Sequence, residues 1–311
     1  MSHELVVRQG ALSAPDTLRA SRDALDRTLE QDAELSVVEI TTDATVLGAF
    51  QRRRDAPSDL PALVRVSGGP FVRVGPGTLH IVLALSQPGT LVACDARRIV
   101  NRYVRPLLRA LTKRGALAHY FGRDWVSVGH RPIGQVGFAH DSRTGRTVFE
   151  AFVAVRRDFA PSGRPSFLGK EPATLEALSG LRFDMDALSS AIVAAYAIAA
   201  DRVAIVRAVE PGAASGGAEP SDEPPWAASL EEAIGRVAAG RDSKGALRLG
   251  GDLLASRDAI DRVASLVDGL PRGADAAEVG AIVDRELSGP GVALDGVRDL
   301  ASLRDVLFKA R

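Results

Sequence analysis

The apolar positions of the chain recur at two spacings, which predict helices in some segments and strands in others. After Ser13, leucines follow one another at helical spacing among charged residues, which predicts a surface helix up to about residue 31. The clearest amphipathic pattern covers residues 95–113, where Pro106 is expected to kink the helix or to start a turn of it. An alanine-rich segment, residues 185–200, predicts a third helix with one apolar face.

Short apolar or β-branched runs predict strands between these helices. A glycine-dense stretch, residues 67–77, separates two of the strands and is expected to form a loop that a ligand can approach closely. Many strands with a few helices are typical of the α+β class, with mixed or antiparallel sheets packed against helices. The predicted strands are residues 35–40, 44–51, 63–66, 79–85, 125–128, 133–138 and 148–155.

A change in composition predicts two domains. Residues 210–225 are rich in glycine, proline, serine and acidic residues and have no apolar period, so they are expected to form a flexible linker. This divides the chain into a large domain, residues 1–209, and a small one, residues 226–311.

The small domain is expected to be mainly helical. Ser229-Leu230-Glu231-Glu232 has the pattern of a capping box, which predicts the start of a helix. A short apolar run follows at residues 246–249, and two further helices are expected to end at Gly269 and at Gly289.

Composition narrows the class of protein further. Hydrophobic residues make up 46% and charged residues 25% of the chain, which is enough apolar material for a packed core. Thirty-nine basic residues balance 39 acidic ones, so neither nucleic acid nor a membrane is an expected partner. The single cysteine, Cys94, excludes a disulfide framework and a cysteine-based zinc site. Since no signal-peptide pattern or long apolar run is present, the cytoplasm is the expected location.

Three segments between residues 36 and about 210 carry motifs in a distinctive order. Residues 43–51 read D-A-T-V-L-G-A-F-Q, residues 64–79 read V-R-V-S-G-G-P-F-V-R-V-G-P-G-T-L, and residues 122–135 read G-R-D-W-V-S-V-G-H-R-P-I-G-Q. They resemble the motifs P-x-V-x-L-G-x-x-Q, R-R-x-[ST]-G-G-G-A-V-x-H-x-x-G-x-L and G-R-N-D-[LI]-x-[VI]-x-G-[RK]-K-[IV]-[SAG]-G. These belong to the biotin and lipoate ligase superfamily, and the similarity is greatest to bacterial lipoate-protein ligases. Residues 244–271 are similar to the accessory C-terminal domain of lipoate ligases.

The resemblance implies a class II synthetase-like fold and a two-step reaction. Members of the family use ATP and magnesium to convert lipoate or another acyl acid to an acyl-adenylate, then transfer the acyl group to a lysine of a lipoyl or acyl-carrier domain. The binding residues implied here are those that match the family's motifs: Arg65, Ser67, Gly68, Gly69, Gly77, Asp124 and Ile133.

The sequence departs from the family where the chemistry is concentrated. The family's catalytic lysine aligns with Pro132, which supplies neither a positive charge nor a hydrogen-bond donor. Arg131, one position earlier, is the candidate substitute, although strand geometry would place it on the other face. Pro70 and Phe71 replace small residues of the glycine loop and are expected to narrow the acyl pocket.

Several single residues have more than one interpretation. Arg65 either contacts a phosphate or forms a surface salt bridge. Asp124 either organises the loop or holds magnesium through water, or it caps the start of a strand. Cys94 invites comparison with octanoyltransferases of this fold, but it lies on a different loop and a core role is favoured. His130 and His140 lack a third ligand at a spacing known from metal sites, so no metal is expected.

Two hypotheses follow. The first is a divergent ligase or acyltransferase that binds a nucleotide or an acyl donor in the cleft of the matched residues. The second is a non-catalytic homologue that keeps the fold to bind a partner, such as a lipoyl or acyl-carrier domain.

Overall fold

The protein is built around one large mixed sheet. The computed structural model describes residues 4–28, 32–57, 59–200, 202–206, 208 and 223–311. Up to residue 206, the strands in chain order are β1 (Glu4–Leu12), β2 (Ala33–Ile40), β3 (Ala44–Leu47), β4 (Ala62–Val64), β5 (Val72–Val74), β6 (Thr78–Leu85), β7 (Ala118–Tyr120), β8 (Trp125–Val128), β9 (Arg131–His140), β10 (Thr147–Ala154) and β11 (Arg202–Val206). The helices of this part are α1 (Ala14–Arg27), α2 (Ile99–Lys113), α3 (Leu175–Ser179) and α4 (Met185–Ala197).

The large sheet has eight strands in the order β11-β1-β2-β6-β10-β9-β8-β7. β1 pairs in parallel with β2 and β11, and the remaining neighbours are antiparallel. Successive side chains of a strand point to opposite faces. On β6, Ile81 and Leu83 therefore join the core cluster that includes α2 and α4, while Val82 and Ala84 pack against α1. Strands β4, β3 and β5 form a second, three-stranded sheet. This α+β arrangement is the predicted fold class.

The predicted helices form, with one difference of detail. α1 begins after Ser13, whose hydroxyl accepts a hydrogen bond from the amide of Asp16 at 3.3 Å, and it ends at Arg27. α2 continues through Pro106 as a single helix, whose buried face includes Tyr103, Val104 and Leu107 on either side of the proline. Burial of this face keeps the helix together although Pro106 cannot donate a backbone hydrogen bond.

The C-terminal part combines a three-stranded sheet and a two-stranded sheet with three helices. Its elements are β12 (Ala228–Glu232), β13 (Gly235–Arg241), β14 (Leu247–Gly251), β15 (Leu254–Ala255), α5 (Arg257–Asp268), α6 (Ala276–Leu287), β16 (Leu294–Asp295) and α7 (Ala301–Ala310). α5 and α6 end next to Gly269 and before Gly289, as predicted.

The predicted helix start at Ser229–Glu232 is wrong, because these residues belong to β12. Ser229 and Glu231 are exposed, while Leu230 is half-buried and Glu232 is buried. This alternation and antiparallel pairing with β13 outweigh the local capping pattern.

Trp226, at the beginning of the C-terminal part, contacts two residues of the N-terminal part. Its indole nitrogen donates to the carboxylate of Asp55 at 3.0 Å, and the guanidinium of Arg52 lies 3.5 Å from the ring centroid. A side-chain atom at Gly250 would lie 2.6 Å from the Trp226 ring, so this glycine is needed for the close approach. The two parts therefore pack directly against each other.

The predicted linker, residues 210–225, lies outside the described residues except for residues 223–225. The division into domains of residues 1–209 and 226–311 stays a prediction. Within the described ranges, no helix has both the length and the apolar character needed to cross a membrane.

Candidate functional site

The glycine loop, residues 67–70, lies between the ends of β3 and β9. The amide of Ala49 donates to the carbonyl of Ser67 at 2.8 Å, and the amide of Gly68 donates to the carbonyl of Phe138 at 3.1 Å. A Cβ at Gly48 would lie 2.0 Å from the carbonyl oxygen of Gly69, so only glycine allows the loop to lie this close to β3. The loop is thus fixed on two sides by backbone.

A segment of the C-terminal part covers the third side of the loop. We call residues 252–255 the closing segment. The amide of Gly69 donates to the carbonyl of Leu253 at 2.7 Å, and a Cβ at Gly68 would lie 2.1 Å from the same oxygen. Leu254 packs beside Gly69, 3.4 Å from the position of a Cβ there. The amides of both glycines are therefore hydrogen-bonded within the protein.

The side chain of Arg65 donates hydrogen bonds to the glycine loop. Its Nε donates to Ser67 Oγ at 2.9 Å, and its Nη2 donates to the carbonyls of Gly68 at 2.7 Å and Pro70 at 3.0 Å. The Arg65 side chain is only 1% exposed, so it does not form a surface salt bridge, which was one of its two interpretations. It forms a buried ion pair instead, with Nε 3.8 Å from Glu150 Oε2. Desolvation lowers the pKa of Arg65 to about 10, and the charge of Glu150 opposes this shift.

Glu150 is the centre of a buried polar group that the motifs did not identify. Its carboxylate accepts a hydrogen bond from Ser67 Oγ and lies 2.6 Å from His80 Nε2. Burial acts to raise the pKa of Glu150, but the hydrogen bond from His80 and the charge of Arg65 outweigh it, and the pKa is lowered. In the sequence, Glu150 and His80 each interrupt an otherwise apolar strand, which is the signal that could have identified them.

A second buried polar group surrounds Asp124. Its Oδ2 accepts a hydrogen bond from Gln135 Nε2 at 3.0 Å, while Oδ1 has no hydrogen-bond partner within the described residues. Burial raises the pKa of Asp124. Arg164 lies 3.5 Å from Gln135 Oε1 and 4.5 Å above the ring of Phe71, and desolvation lowers its pKa to about 10. Gln135 therefore connects Asp124 to Arg164, which in turn stacks on Phe71.

Gln51, the motif glutamine, connects β3 to the closing segment. Its Oε1 accepts from the amide of Gly48 at 2.8 Å, and its Nε2 donates to Asp252 Oδ1 at 2.6 Å. The amide of Arg236 donates to the other carboxylate oxygen of Asp252 at 2.8 Å. Desolvation raises the pKa of Asp252 to about 6. The closing segment is therefore attached by a carboxyl group whose charge changes near neutral pH.

Other matched residues lie away from the glycine loop. Gly77 forms the turn before β6 with φ +90°, and its carbonyl accepts hydrogen bonds from the ends of β10. Ile133 is fully buried in the main core cluster. Arg131 is exposed and donates to the carbonyls of Glu171 at 3.1 Å and Pro172 at 2.9 Å. The structure thus brings Arg65, Ser67, Gly68 and Gly69 together, but gives Arg131 different partners.

Pro132 and Cys94 show no arrangement for catalysis. The carbonyl of Pro132 accepts a hydrogen bond from the amide of Ala173 at 2.8 Å. Cys94 is half-buried against the core, and burial raises the pKa of its thiol to about 11, which favours the unreactive protonated form.

The two histidines considered in the sequence have separate surroundings. His130 lies in a stack with His119 and Phe121, while His140 bonds to Thr147 Oγ1 and to the carbonyl of Gly291, each at 2.9 Å. In the part of the chain that the structure describes, no three histidine, cysteine or acidic side chains are grouped to hold a metal.

A cavity of about 430 Å³, here called the acyl cavity, lies next to Arg65. Its lining includes five apolar residues, Leu25, Ala49, Val64, Val66 and Ala139. The other lining residues are polar or charged, namely Arg22, Gln51, Arg65, His140, Asp141, Arg146 and Arg257. A lining that combines apolar side chains with four arginines suits a small molecule with a hydrocarbon part and an acidic group.

Comparison with solved structures identifies the fold. The P. falciparum protein LipL1 in complex with lipoate is similar over 97% of this chain and 98% of its own, with TM-score 0.67 and 9% identity. A lipoate-protein ligase A bound with ATP covers 68% of this chain and 91% of its own, with TM-score 0.53 and 14% identity. A bipartite lipoate-protein ligase from Thermoplasma acidophilum, studied with its E2 lipoyl domain, covers 68% and 89%, with TM-score 0.52 and 14% identity.

Sequence comparison adds nothing to this similarity of structure. No protein-family model matches the chain, and no curated protein sequence matches it. The chain therefore shares the fold of these lipoate-ligase structures, which is the fold that the motifs predicted.

Proposed function

We propose that this lipoate-ligase-like protein binds lipoate or an acyl acid of similar size and does not activate it with ATP. The observation that carries the proposal is the hydrogen bond from the Gly69 amide to the Leu253 carbonyl, 2.7 Å long. While this hydrogen bond is present, the Gly69 amide is not available to a phosphate or to a reacting carboxylate.

Adenylate formation needs donors that are available at the reacting phosphate. Arg65 directs its guanidinium at Ser67 Oγ and at two loop carbonyls, and it is buried. The family's lysine position holds Pro132, and Arg131 donates to carbonyls elsewhere. These contacts favour the non-catalytic homologue among the two sequence-based hypotheses.

The acyl cavity supports binding of the acid itself. Its apolar residues would contact the hydrocarbon chain, and its arginines would pair with the carboxylate. Arg146 is suited to this role because it lines the cavity and its ion-pair partner Asp26, 3.8 Å from Nη1, is exposed and therefore binds it weakly. The lipoate-bound structure of the P. falciparum neighbour supports this ligand class.

Calorimetric titration with lipoate and with octanoate tests binding. We expect heat with the wild-type protein and about tenfold weaker binding for Arg146→Ala, because a charge-assisted hydrogen bond contributes about 1.5–3 kcal/mol. Arg143→Ala is the matched control, since Arg143 is exposed in the same β9–β10 turn and does not line the cavity. Absence of heat with both acids, or equal weakening by both substitutions, would contradict the binding proposal.

The second candidate is the ligase activity itself, with ATP and magnesium as cofactors and a lipoyl or acyl-carrier domain as acceptor. It is favoured by the glycine loop and the acyl cavity lying side by side, and by the T. acidophilum ligase studied with its lipoyl domain. It requires the closing segment to leave the loop. Lipoate-dependent release of AMP from ATP by the wild-type chain would establish this candidate and reject the non-catalytic one.

A further inference from the structure

A second cavity, of about 340 Å³, lies at the beginning of α2, and we call it the α2 cavity. It shares no lining residue with the acyl cavity. Neighbouring residues of β9 show that it is on the other face of the large sheet. Gly137 faces the glycine loop, with its Cβ position 2.9 Å from the carbonyl oxygen of Gly68, while Phe138 lines the α2 cavity.

Four arginines line this cavity: Arg97, Arg98, Arg102 and Arg105. Arg97 donates to the carbonyl of Ser288 at 3.1 Å, and Arg105 donates to Asn101 Oδ1 at 3.0 Å, so neither charge is neutralised by its partner. Arg102 also lines the cavity, and its Nε has no hydrogen-bond partner in the described residues. The positive charges of Arg97, Arg102 and Arg105 are therefore available to an anion in the cavity.

Acidic groups near the cavity do not balance the arginines. Asp95 is exposed and lies 3.6 Å from Arg98. Asp295 is the one acidic residue in the lining, against four arginines. The first turn of α2 carries no acidic residue, and no side chain caps its amides, so the helix terminus adds to the positive field.

We propose that the α2 cavity binds a small phosphate compound. Four guanidinium groups around one cavity match the several oxygens and the double charge of a phosphate better than the single charge of a simple carboxylate. Arg109 lies further along the same helix and is exposed outside the cavity, so it shares the general basic character of α2 without lining the site. The concave shape favours a small ligand over the extended backbone of a nucleic acid.

Calorimetric titration with inorganic pyrophosphate at low salt tests this proposal. We expect binding by the wild-type chain, at least tenfold weaker binding for Arg102→Ala and Arg105→Ala, and nearly unchanged binding for Arg109→Ala. Circular dichroism of each variant establishes that it is folded. Titration with AMP then identifies the source of the phosphate: binding that Arg102→Ala weakens indicates a nucleotide, and binding of pyrophosphate alone indicates an inorganic anion.

Three outcomes would overturn the proposal. The first is no heat with either probe, and the second is equal weakening by Arg109→Ala and Arg102→Ala. The third is tighter binding of a single-stranded oligonucleotide that all three substitutions weaken alike, which would indicate general attraction to a basic helix. None of these outcomes bears on the acyl cavity, whose test uses acids without phosphate.

Discussion

Replacing Gly68 by alanine tests whether the closing segment lies on the glycine loop in solution. The new Cβ would lie 2.1 Å from the carbonyl oxygen of Leu253 and 3.2 Å from the ring of Phe50. The first of these is a backbone atom and cannot rotate away as a side chain can. The closing segment must therefore shift, and the hydrogen bond from Gly69 to Leu253 is lost or lengthened.

The expected destabilisation is the sum of opposing effects. Overpacking costs about 1–3 kcal/mol. Loss of one buried backbone hydrogen bond costs roughly 1 kcal/mol more. Alanine also restricts the unfolded chain, which returns about 0.4–1 kcal/mol. We expect a net decrease of about 1–3 kcal/mol in the free energy of unfolding.

Urea unfolding of the Gly68→Ala variant gives this quantity, with Gly273→Ala as the control. A Cβ at Gly273 meets no heavy atom within 4 Å, so this substitution should change the free energy of unfolding by no more than about 0.5 kcal/mol. Hydrogen exchange should also become faster at the Gly69 amide, which Leu253 protects. Equal stability of the two variants with unchanged exchange would refute the closed arrangement, and with it the argument against ATP activation.

Three further results are expected. Glu150→Ala should lower the free energy of unfolding by about 3–5 kcal/mol because it leaves buried Arg65 without its counter-charge. Glu150→Gln keeps the shape but removes the charge, so it should cause most of the same loss, and a much smaller loss would show that packing and not charge is responsible. The pKa of Asp252 is raised to about 6, so the folded state binds more protons than the unfolded state. The stability that this protonation contributes is present below about pH 4 and is lost as the pH rises through 6. Asp252→Asn should remove that part of the pH dependence of urea unfolding, and an unchanged slope would contradict the assignment. Trp226→Ala should destabilise the protein more than Trp226→Phe, which keeps a ring beneath the guanidinium, and equal unfolding midpoints would exclude that stacking contribution.

Local patterns sufficed where burial leaves a clear record in the sequence. The helix after Ser13 was predicted from periodicity because it buries one face, and the strands at residues 79–85 and 148–155 were predicted from apolar runs because every residue of β6 and β10 is buried. The capping pattern at Ser229 gave a wrong prediction because pairing of β12 with β13 decides the conformation of this segment. A strand partner cannot be recognised from local capping residues. β1 was not predicted, although it lies between β2 and β11 in the large sheet.

The candidate site could be predicted only in part, for the same reason. Motif spacing placed Arg65 and the loop glycines together, and the structure does so. What the sequence could not show is that Leu253, far along the chain, lies against those glycines. Glu150 was also missed, because the motifs directed attention to the loop and away from a charged residue within an apolar strand.

The distance in sequence between the glycine loop and the closing segment has a consequence for how the protein is made. A chain is synthesised from its N-terminus, and its parts begin to fold as they emerge from the ribosome. All eight strands of the large sheet have been synthesised by residue 206, whereas Leu253 comes later. During this interval Gly68 and Gly69 are uncovered on a nascent chain that already contains the complete sheet sequence. The loop is therefore exposed to solvent or to a chaperone until the closing segment arrives.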